Sequence, residues 1–295
     1  MRIRDSLPDR VFMVISYALL TFILLLIVYP LIYVISSSFS APSAVMTGKV
    51  WLYPVDLSLE GYKAVFKNNQ VFSGYYNTII YTFVATAYGV VLTIMLAFPL
   101  SRKDFYGKKA IMAYIVFTML FSGGMVPTYL TIKDLSLLGT RWSIILPLAI
   151  SAYNVIIART FFATTIPDEL REAADLDGCS DIGFIWHVVL PLSKAIISVL
   201  ILFYAVYHWN SYMPALLYLR KSELFPLQIV LRNILIMNKY SAEMVADVQS
   251  EIAAQGLEAL LKYSLIVVSS LPILALYPFI QKYFVQGVMI GSIKG

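Results

Sequence analysis

Asp168, Glu169, Glu172, Asp175, Asp177 and Asp181 crowd six carboxylates into the stretch DELREAADLDGCSD, in a chain that is 60% hydrophobic and only 13% charged. Clustered carboxylates suit acid–base catalysis, or recognition of something basic. The catalytic option finds no support nearby. His187 and His208 are the only histidines, stand 21 residues apart and form no HExxH, so a zinc-protease site has nothing to rest on. The single Cys179 excludes an internal disulfide and a cysteine-rich metal site. Neither GxxxxGK[ST] nor GxGxxG occurs, so the chain does not bind ATP through a P-loop of its own. No catalytic and no metal-ligating residue is expected.

Local physical chemistry gives the acidic stretch a shape. Pro167 fits the first turn of a helix, where no N–H is needed, and Asp168 and Glu169 fall on its positive end. At 100° per residue Ile166, Leu170, Ala173 and Ala174 share one face, and Asp168, Arg171, Glu172 and Asp175 the opposite one. Asp177-Gly178 stops the helix, because glycine accepts the left-handed cap conformation. Ser180 then caps a second helix beginning DIGFIWHVVL, in which Pro191 leaves the His187 carbonyl without a helical partner and favours a bend there. The expectation is helix, sharp turn, helix. Helices that rest on lipid carry Lys and Arg on their polar face, and the inner leaflet is anionic. An acidic helix at that surface points instead to a protein partner with a basic cleft.

The elements that must position this stretch are membrane helices. Soluble chains are about half apolar and a quarter charged, so this composition reads as a membrane protein. A bilayer core of about 30 Å takes roughly 20 apolar helical residues. Six stretches qualify: 11–35, 76–100, 110–132, 142–163, 185–207 and 260–284. The first spans about 25 residues, against roughly 7–15 for the apolar core of a signal peptide, and is expected to be a retained span. Arg2, Arg4 and Arg10 precede it, and SRKDFYGKK joins spans two and three, so these basic sides belong in the cytoplasm. Both termini and the acidic loop 164–184 then lie inside, and larger connections, 36–75 and 208–259, lie outside. The net charge of +5 reflects that retention of basic residues and carries no implication of nucleic acid. Prolines at 30, 99, 127, 147, 191, 272 and 278 mark every span, either as ordinary kinks or as bends around a pathway.

The spans almost lack ionisable groups at their centres; Arg159 and Lys194 stand near inner ends. Ion-coupled carriers need Asp, Glu, His or Lys near the midplane. A stand-alone channel or ion-coupled secondary transporter is therefore the weaker alternative, and a membrane enzyme with a buried acid–base pair weaker still. Neutral polar residues do occur: Asn77, Tyr81, Tyr88, Asn154, Tyr204 and Asn210. Each fits helix–helix hydrogen bonding or the aromatic belt. Together they also fit a pathway for sugars, whose hydroxyls hydrogen-bond and whose ring faces stack.

Glu172-Ala173-Ala174, three further residues, Gly178, then Ile185 and Leu190-Pro191 resemble the EAA loop of bacterial ABC importer permeases. YPLIYVISSSFS, LEGYKAVF, FSGGMVPTYL, TRWSIILP and QKYFVQGVMIGSIKG extend the resemblance to the maltose-type carbohydrate family, in the branch handling oligosaccharides and polysaccharide fragments, alginate among them. The resemblance implies an all-α type I importer permease fold with six spans in one transmembrane domain. It implies a coupling helix formed by Leu170, Glu172, Ala173, Ala174, Asp177, Gly178 and Pro191, with Glu172 meeting basic groups of an ATPase. It also implies a second homologous permease, two ATPase subunits that bind ATP and Mg, an external solute-binding protein, and a place in the bacterial cytoplasmic membrane. The loop after span five, with Tyr212, Arg220 and Lys221, resembles in position a loop that contacts the binding protein. Which sugar is carried does not follow from these residues.

Overall fold

The computed structural model describes residues 6–242, 260–275, 278 and 281, and every regular element among them is helical. The tail 282–295 and most of the polar run before Glu258 lie outside the described residues. The chain divides into two compact units.

The first unit takes residues 1–69 and 231–271. Its main element is α1 (Leu7–Ser38), started by Ser6, whose hydroxyl accepts from the Asp9 N–H while the Asp9 carboxylate accepts from Ser6 N–H in return. Apolar side chains stand exposed along the length of α1. Its serine-rich end turns the chain inward: Ser36–Ser38 and Ser40 are buried. Ser36 donates to the Leu52 carbonyl at 2.7 Å, and the Ser40 hydroxyl accepts from Val55 N–H at 3.0 Å. Those bonds fold the connection over α2 (Pro42–Met46), and α3 (Glu60–Lys67) follows. Ala44, Val45, Val50 and Leu260 form a small core, and Tyr33 meets Tyr263 edge-on at 5.7 Å.

The second unit takes residues 70–230 and 272–295, and its axis is α4 (Asn69–Ser101). Buried positions on α4 recur at 74, 77–78, 81–82, 85–86, 89–90, 93–94 and 97–98, the three-and-four spacing of one helical face. The elements after it are α5 (Lys108–Leu120), α6 (Met125–Asp134), α7 (Trp142–Ile145), α8 (Ala152–Thr165), α9 (Asp168–Leu176), α10 (Asp181–Phe184), α11 (Leu190–Leu192), α12 (Lys194–Asn210), α13 (Met213–Tyr218) and α14 (Leu227–Ala242). A further apolar helix among the described residues, α15, runs Leu260–Ala275; its residues to Leu271, like those of α14 from Leu231, fall in the first unit. Phe98, Val155, Phe162, Phe184, Val189 and Leu200 lie in the largest core cluster.

Three of the expected spans are not single rods. Span three (110–132) breaks between α5 and α6, which meet at 114°. Phe121 there is extended and Gly124 has φ +84°, a conformation that ends a helix. Span four (142–163) is interrupted between α7 and α8, where Pro147 stands in the break and only α8 forms a sustained helix. Span five (185–207) was expected to bend at Pro191. The segment 181–192 instead meets α12 at 84°, with Ser193 between them at φ −104° and ψ 17°. A π-helical turn at Ile185–Val189, closed by Leu190 N–H on the Ile185 carbonyl, precedes Pro191, and the chain stays helical through Leu192.

Candidate functional site

The acidic loop is built from α8 outward. Ile166 precedes a proline and is accordingly extended (φ −113°, ψ 95°), which ends α8 and buries its side chain. Pro167 takes the cap position of α9, one residue earlier than a first-turn place, and Asp168 and Glu169 fill the first turn. At the far end Cys179 N–H bonds the Ala174 carbonyl at 2.9 Å and Gly178 N–H bonds Asp175 at 3.1 Å. Gly178 sits at φ +70° with open space where a side chain would go, so its requirement is conformational, not steric. The Ser180 hydroxyl accepts from Gly183 N–H at 3.2 Å and starts α10. The helix–turn–helix is thus reproduced from caps that were readable in the sequence.

Packing pins this motif to the core. Phe184 and Val189 are fully buried, and the Phe184 ring lies 6.1 Å from that of Phe98 on α4. Phe98 also meets Phe162 on α8 edge-on at 6.0 Å. Ala174 packs against the same cluster, while Ala173 and Leu170 are exposed. The face grouped by 100° steps is therefore split: Ile166 and Ala174 turn inward, Leu170 and Ala173 outward.

Half of the six carboxylates are neutralised within the chain. Arg171 Nε pairs with Asp175 at 2.9 Å, its Nη2 pairs with Asp181, and its guanidinium stands 5.5 Å from the Phe184 ring centroid. Arg171 thereby joins α9 to α10. Asp168 is held by Lys103 and Arg102, each at 3.0 Å, from the link after α4. Lys103, and then Arg102, hold the Asp168 carboxyl below its usual range, and Asp168 in turn pushes the Lys103 ammonium up. The Lys108 ammonium donates to the Arg102 carbonyl at 2.8 Å, so that link is itself braced. Arg159 Nε donates to the Leu100 carbonyl at 3.3 Å and satisfies an acceptor at the end of α4. Among the described residues Glu169, Glu172 and Asp177 make no ion pair and remain exposed. Around them Leu176, Ile182 and Trp186 are exposed too. The loop therefore offers a mixed acidic and apolar surface, narrower in charge than the sequence implied. Pro191 lies beyond the π turn, ahead of the 84° bend. Arg171 and Arg102 were not singled out from the sequence; an arginine four residues before Asp175 was the available signal for the first.

The six polar residues expected along a pathway separate into two groups. Asn77, Tyr81 and Tyr204 are buried and have structural partners. The Asn77 amide donates to the Glu223 carbonyl at 2.7 Å and the Phe225 carbonyl at 3.1 Å, and its Oδ1 accepts from Arg141 at 3.1 Å. Tyr81 donates to the Leu224 carbonyl at 2.8 Å. The Tyr204 hydroxyl shares a 2.7 Å hydrogen bond with Thr93 and accepts from Ser151 N–H at 3.1 Å. Asn210 is exposed but donates to the Val206 carbonyl of its own helix at 2.8 Å. Tyr88 is exposed, and Asn154 lies beside a cavity of about 690 Å³ lined also by Tyr153, Phe203, Tyr204 and Tyr207. The aromatic character expected of a sugar path gathers at this cavity, not along α4.

The loop after α12 is clamped onto α4. Besides the bonds from Asn77 and Tyr81, the Thr78 hydroxyl accepts from Leu227 N–H at 2.8 Å. Gly139 N–H donates to the Tyr218 carbonyl at 2.8 Å, and the Tyr129 and Tyr218 rings stack at 6.2 Å. Tyr212, Arg220 and Lys221 ride on this loop with exposed side chains.

No family model matches the chain. It is 41% identical over 289 residues to the polygalacturonan/rhamnogalacturonan transport system permease protein YtcP of Bacillus subtilis (strain 168), covering 98% of this chain and all of that one. It is 40% identical over 292 residues to protein LplC of the same organism, covering 99% and 97% of the two chains. The crystal structure of a bacterial ABC transporter involved in the import of the acidic polysaccharide alginate contains a chain that superposes with a TM-score of 0.85 at 32% identity, over 96% of this chain and 99% of that one. With relatives this similar over nearly its whole length, and an all-helical described structure rich in apolar helices, the chain belongs to the permease subunits of carbohydrate ABC transporters, the non-catalytic membrane components of those systems.

Proposed function

We propose that this chain forms half of the translocation pathway of an ATP-driven, binding-protein-dependent importer of oligosaccharides, with fragments of acidic polysaccharide as the substrate class. In this reading residues 1–295 form one transmembrane domain of six spans in the bacterial cytoplasmic membrane, both termini inside. The broken elements α5–α6 and α7–α8 each count as one crossing. A homologous permease completes the pathway, two ATPase subunits bind ATP and Mg, and an external binding protein delivers the sugar. The substrate class rests on the similarity to the polygalacturonan/rhamnogalacturonan permease and to the alginate importer.

One observation carries the coupling role. The α9–α10 surface leaves Glu169, Glu172 and Asp177 unpaired among the described residues, beside exposed Leu176, Ile182 and Trp186. An aromatic and aliphatic patch rimmed by acids suits a protein partner with a basic cleft, where anchors bury and the rim pairs. The Phe184, Val189 and Ala174 contacts then transmit force from α9 to α4 and α8. The test is purification of the assembled transporter with Glu172→Lys. The expected result is loss of most of the co-purifying ATPase and of ATP-dependent uptake. Unchanged retention and uptake would overturn the coupling role.

A further inference from the structure

Arg141 has no counter-ion among the described residues. It flanks α7 and is half-buried. One Nη2 donor reaches Asn77 Oδ1 at 3.1 Å, and no other hydrogen bond from its guanidinium occurs among the described residues. Arginine carries five N–H donors in a planar fork that matches a carboxylate. Its guanidinium carbon lies 5.9 Å from the ring centroids of both Tyr76 and Tyr81. Tyr81 is buried and its hydroxyl is spent on Leu224, but Tyr76 is 63% exposed and offers an open ring. The position is fixed from two sides. Asn77 links Arg141 to the Glu223 carbonyl, and the neighbouring Gly139 N–H is tied to Tyr218. The segment held there brings exposed Arg220 and Lys221, with Glu223 as the one acid in it.

A purely structural tether for Asn77 needs only a neutral donor. The Asn77 oxygen and the two tyrosine rings return only part of the solvation lost by this half-buried cation, and no acid among the described residues supplies the rest. We infer that Arg141 and Tyr76 form a binding subsite for a uronic acid residue of an oligosaccharide, the guanidinium taking the carboxylate and the Tyr76 ring the sugar face. The assignment rests on the carbohydrate reading above and adds to it the residue that selects charge. Arg220 and Lys221 supply further attraction for neighbouring carboxylates along the chain.

The experiment is equilibrium binding of trigalacturonate, and of its neutral methyl ester, to the detergent-solubilised permease–ATPase assembly without binding protein. The wild type is expected to prefer the acid by at least about tenfold, as one charge-assisted pair is worth that much. Arg141→Gln abolishes the preference, and Arg141→Lys keeps part of it while losing the bidentate geometry. Tyr76→Ala weakens both ligands alike. Co-elution with the ATPase verifies that each variant is folded. Equal binding of acid and ester by the wild type, no binding of either, or an Arg141→Gln variant that keeps the preference would each overturn the subsite. A complex that imports sugar with ATP yet shows one of those results loses only this inference; one that imports none loses the transport reading.

Discussion

The two ends of α4 are held by different forces. Positions 77 and 101 stand roughly 36 Å apart at 1.5 Å per residue. At the first end Asn77, Thr78 and Tyr81, spaced on one face, bond main-chain groups at Glu223, Leu224, Phe225 and Leu227. These are neutral, largely buried bonds, insensitive to salt and to ordinary pH. At the other end Arg102 and Lys103 hold Asp168 through ion pairs open to water. Such pairs contribute little to stability and are screened. The contrast suits the proposed division of labour. A loop that must present groups to a sugar gains from being fixed. A helix that must follow a moving ATPase gains from contacts that break and reform at low cost.

The largest effect that would break this comparison comes from Asn77→Ala. It strands the Phe225 carbonyl and the Arg141 guanidinium beside a side chain that is 1% exposed, and leaves the Glu223 carbonyl only the Ser73 hydroxyl at 3.4 Å, at about 1–3 kcal/mol for each unsatisfied group. The expected outcome is a clear fall in thermal stability in detergent and new trypsin cleavage after Arg220 or Lys221. A loop that stays resistant would mean the clamp lies elsewhere. Gly178→Ala comes next. The added methyl meets nothing within 4 Å, so the cost is the left-handed conformation alone, about 1–2 kcal/mol. Uptake should fall while trypsin resistance at the opposite loop is kept. Ser180→Ala removes the cap of α10 and should cost about 1 kcal/mol, read as faster amide exchange over 181–184.

The smallest effect sharpens the contrast. Asp168→Asn should loosen α9 at low salt and do almost nothing at 1 M salt, measured by amide exchange in 168–176. Titration gives the same information. Asp168 has its folded value lowered, so its contribution is present above the ordinary 3.8 and lost as pH falls through that lower value. Lys103 has its value raised, so its contribution is whole below 10.5 and lost as pH climbs past the raised value. Between those limits the protection of the α9 amides, corrected for intrinsic exchange, should be flat, and beyond either limit it should fall while the Glu223–Leu227 amides stay protected.

Much of the acidic loop was legible because it is local. Pro167, Asp177-Gly178 and Ser180 act on their own backbone neighbours, and α9 and α10 begin and end where those residues place them. The long apolar helices α1 and α4 were legible for the same reason, since twenty-odd apolar residues specify a helix by themselves. The breaks were not. A hydropathy pattern over 110–132 is nearly blind to a 114° turn, because the four non-helical residues at Phe121–Gly124 do not interrupt the apolar count. The site residues divide along the same line. Glu172 and Gly178 follow from motif and cap, whereas Asn77, Tyr81 and Tyr204 read equally well as pathway or as clamp until their partners are known. Those partners lie far along the sequence, at Glu223, Leu224 and Thr93, and no local spacing announces them.

Sequence alone thus determined the helical class and the turn chemistry of the acidic loop, consequences of composition and of contacts within a few residues, and it carried the motifs in which the family is recognised. Only the tertiary structure decided which charges are spent inside the chain and which face out. Asp168, Asp175 and Asp181 are paired, and among the described residues Glu169, Glu172 and Asp177 make no ion pair. It also placed Arg141 against two tyrosine rings, with no ion pair among the described residues. The reason is physical: the balance of an ionic group depends on what approaches within about 4 Å, and in a folded chain that neighbour comes from anywhere.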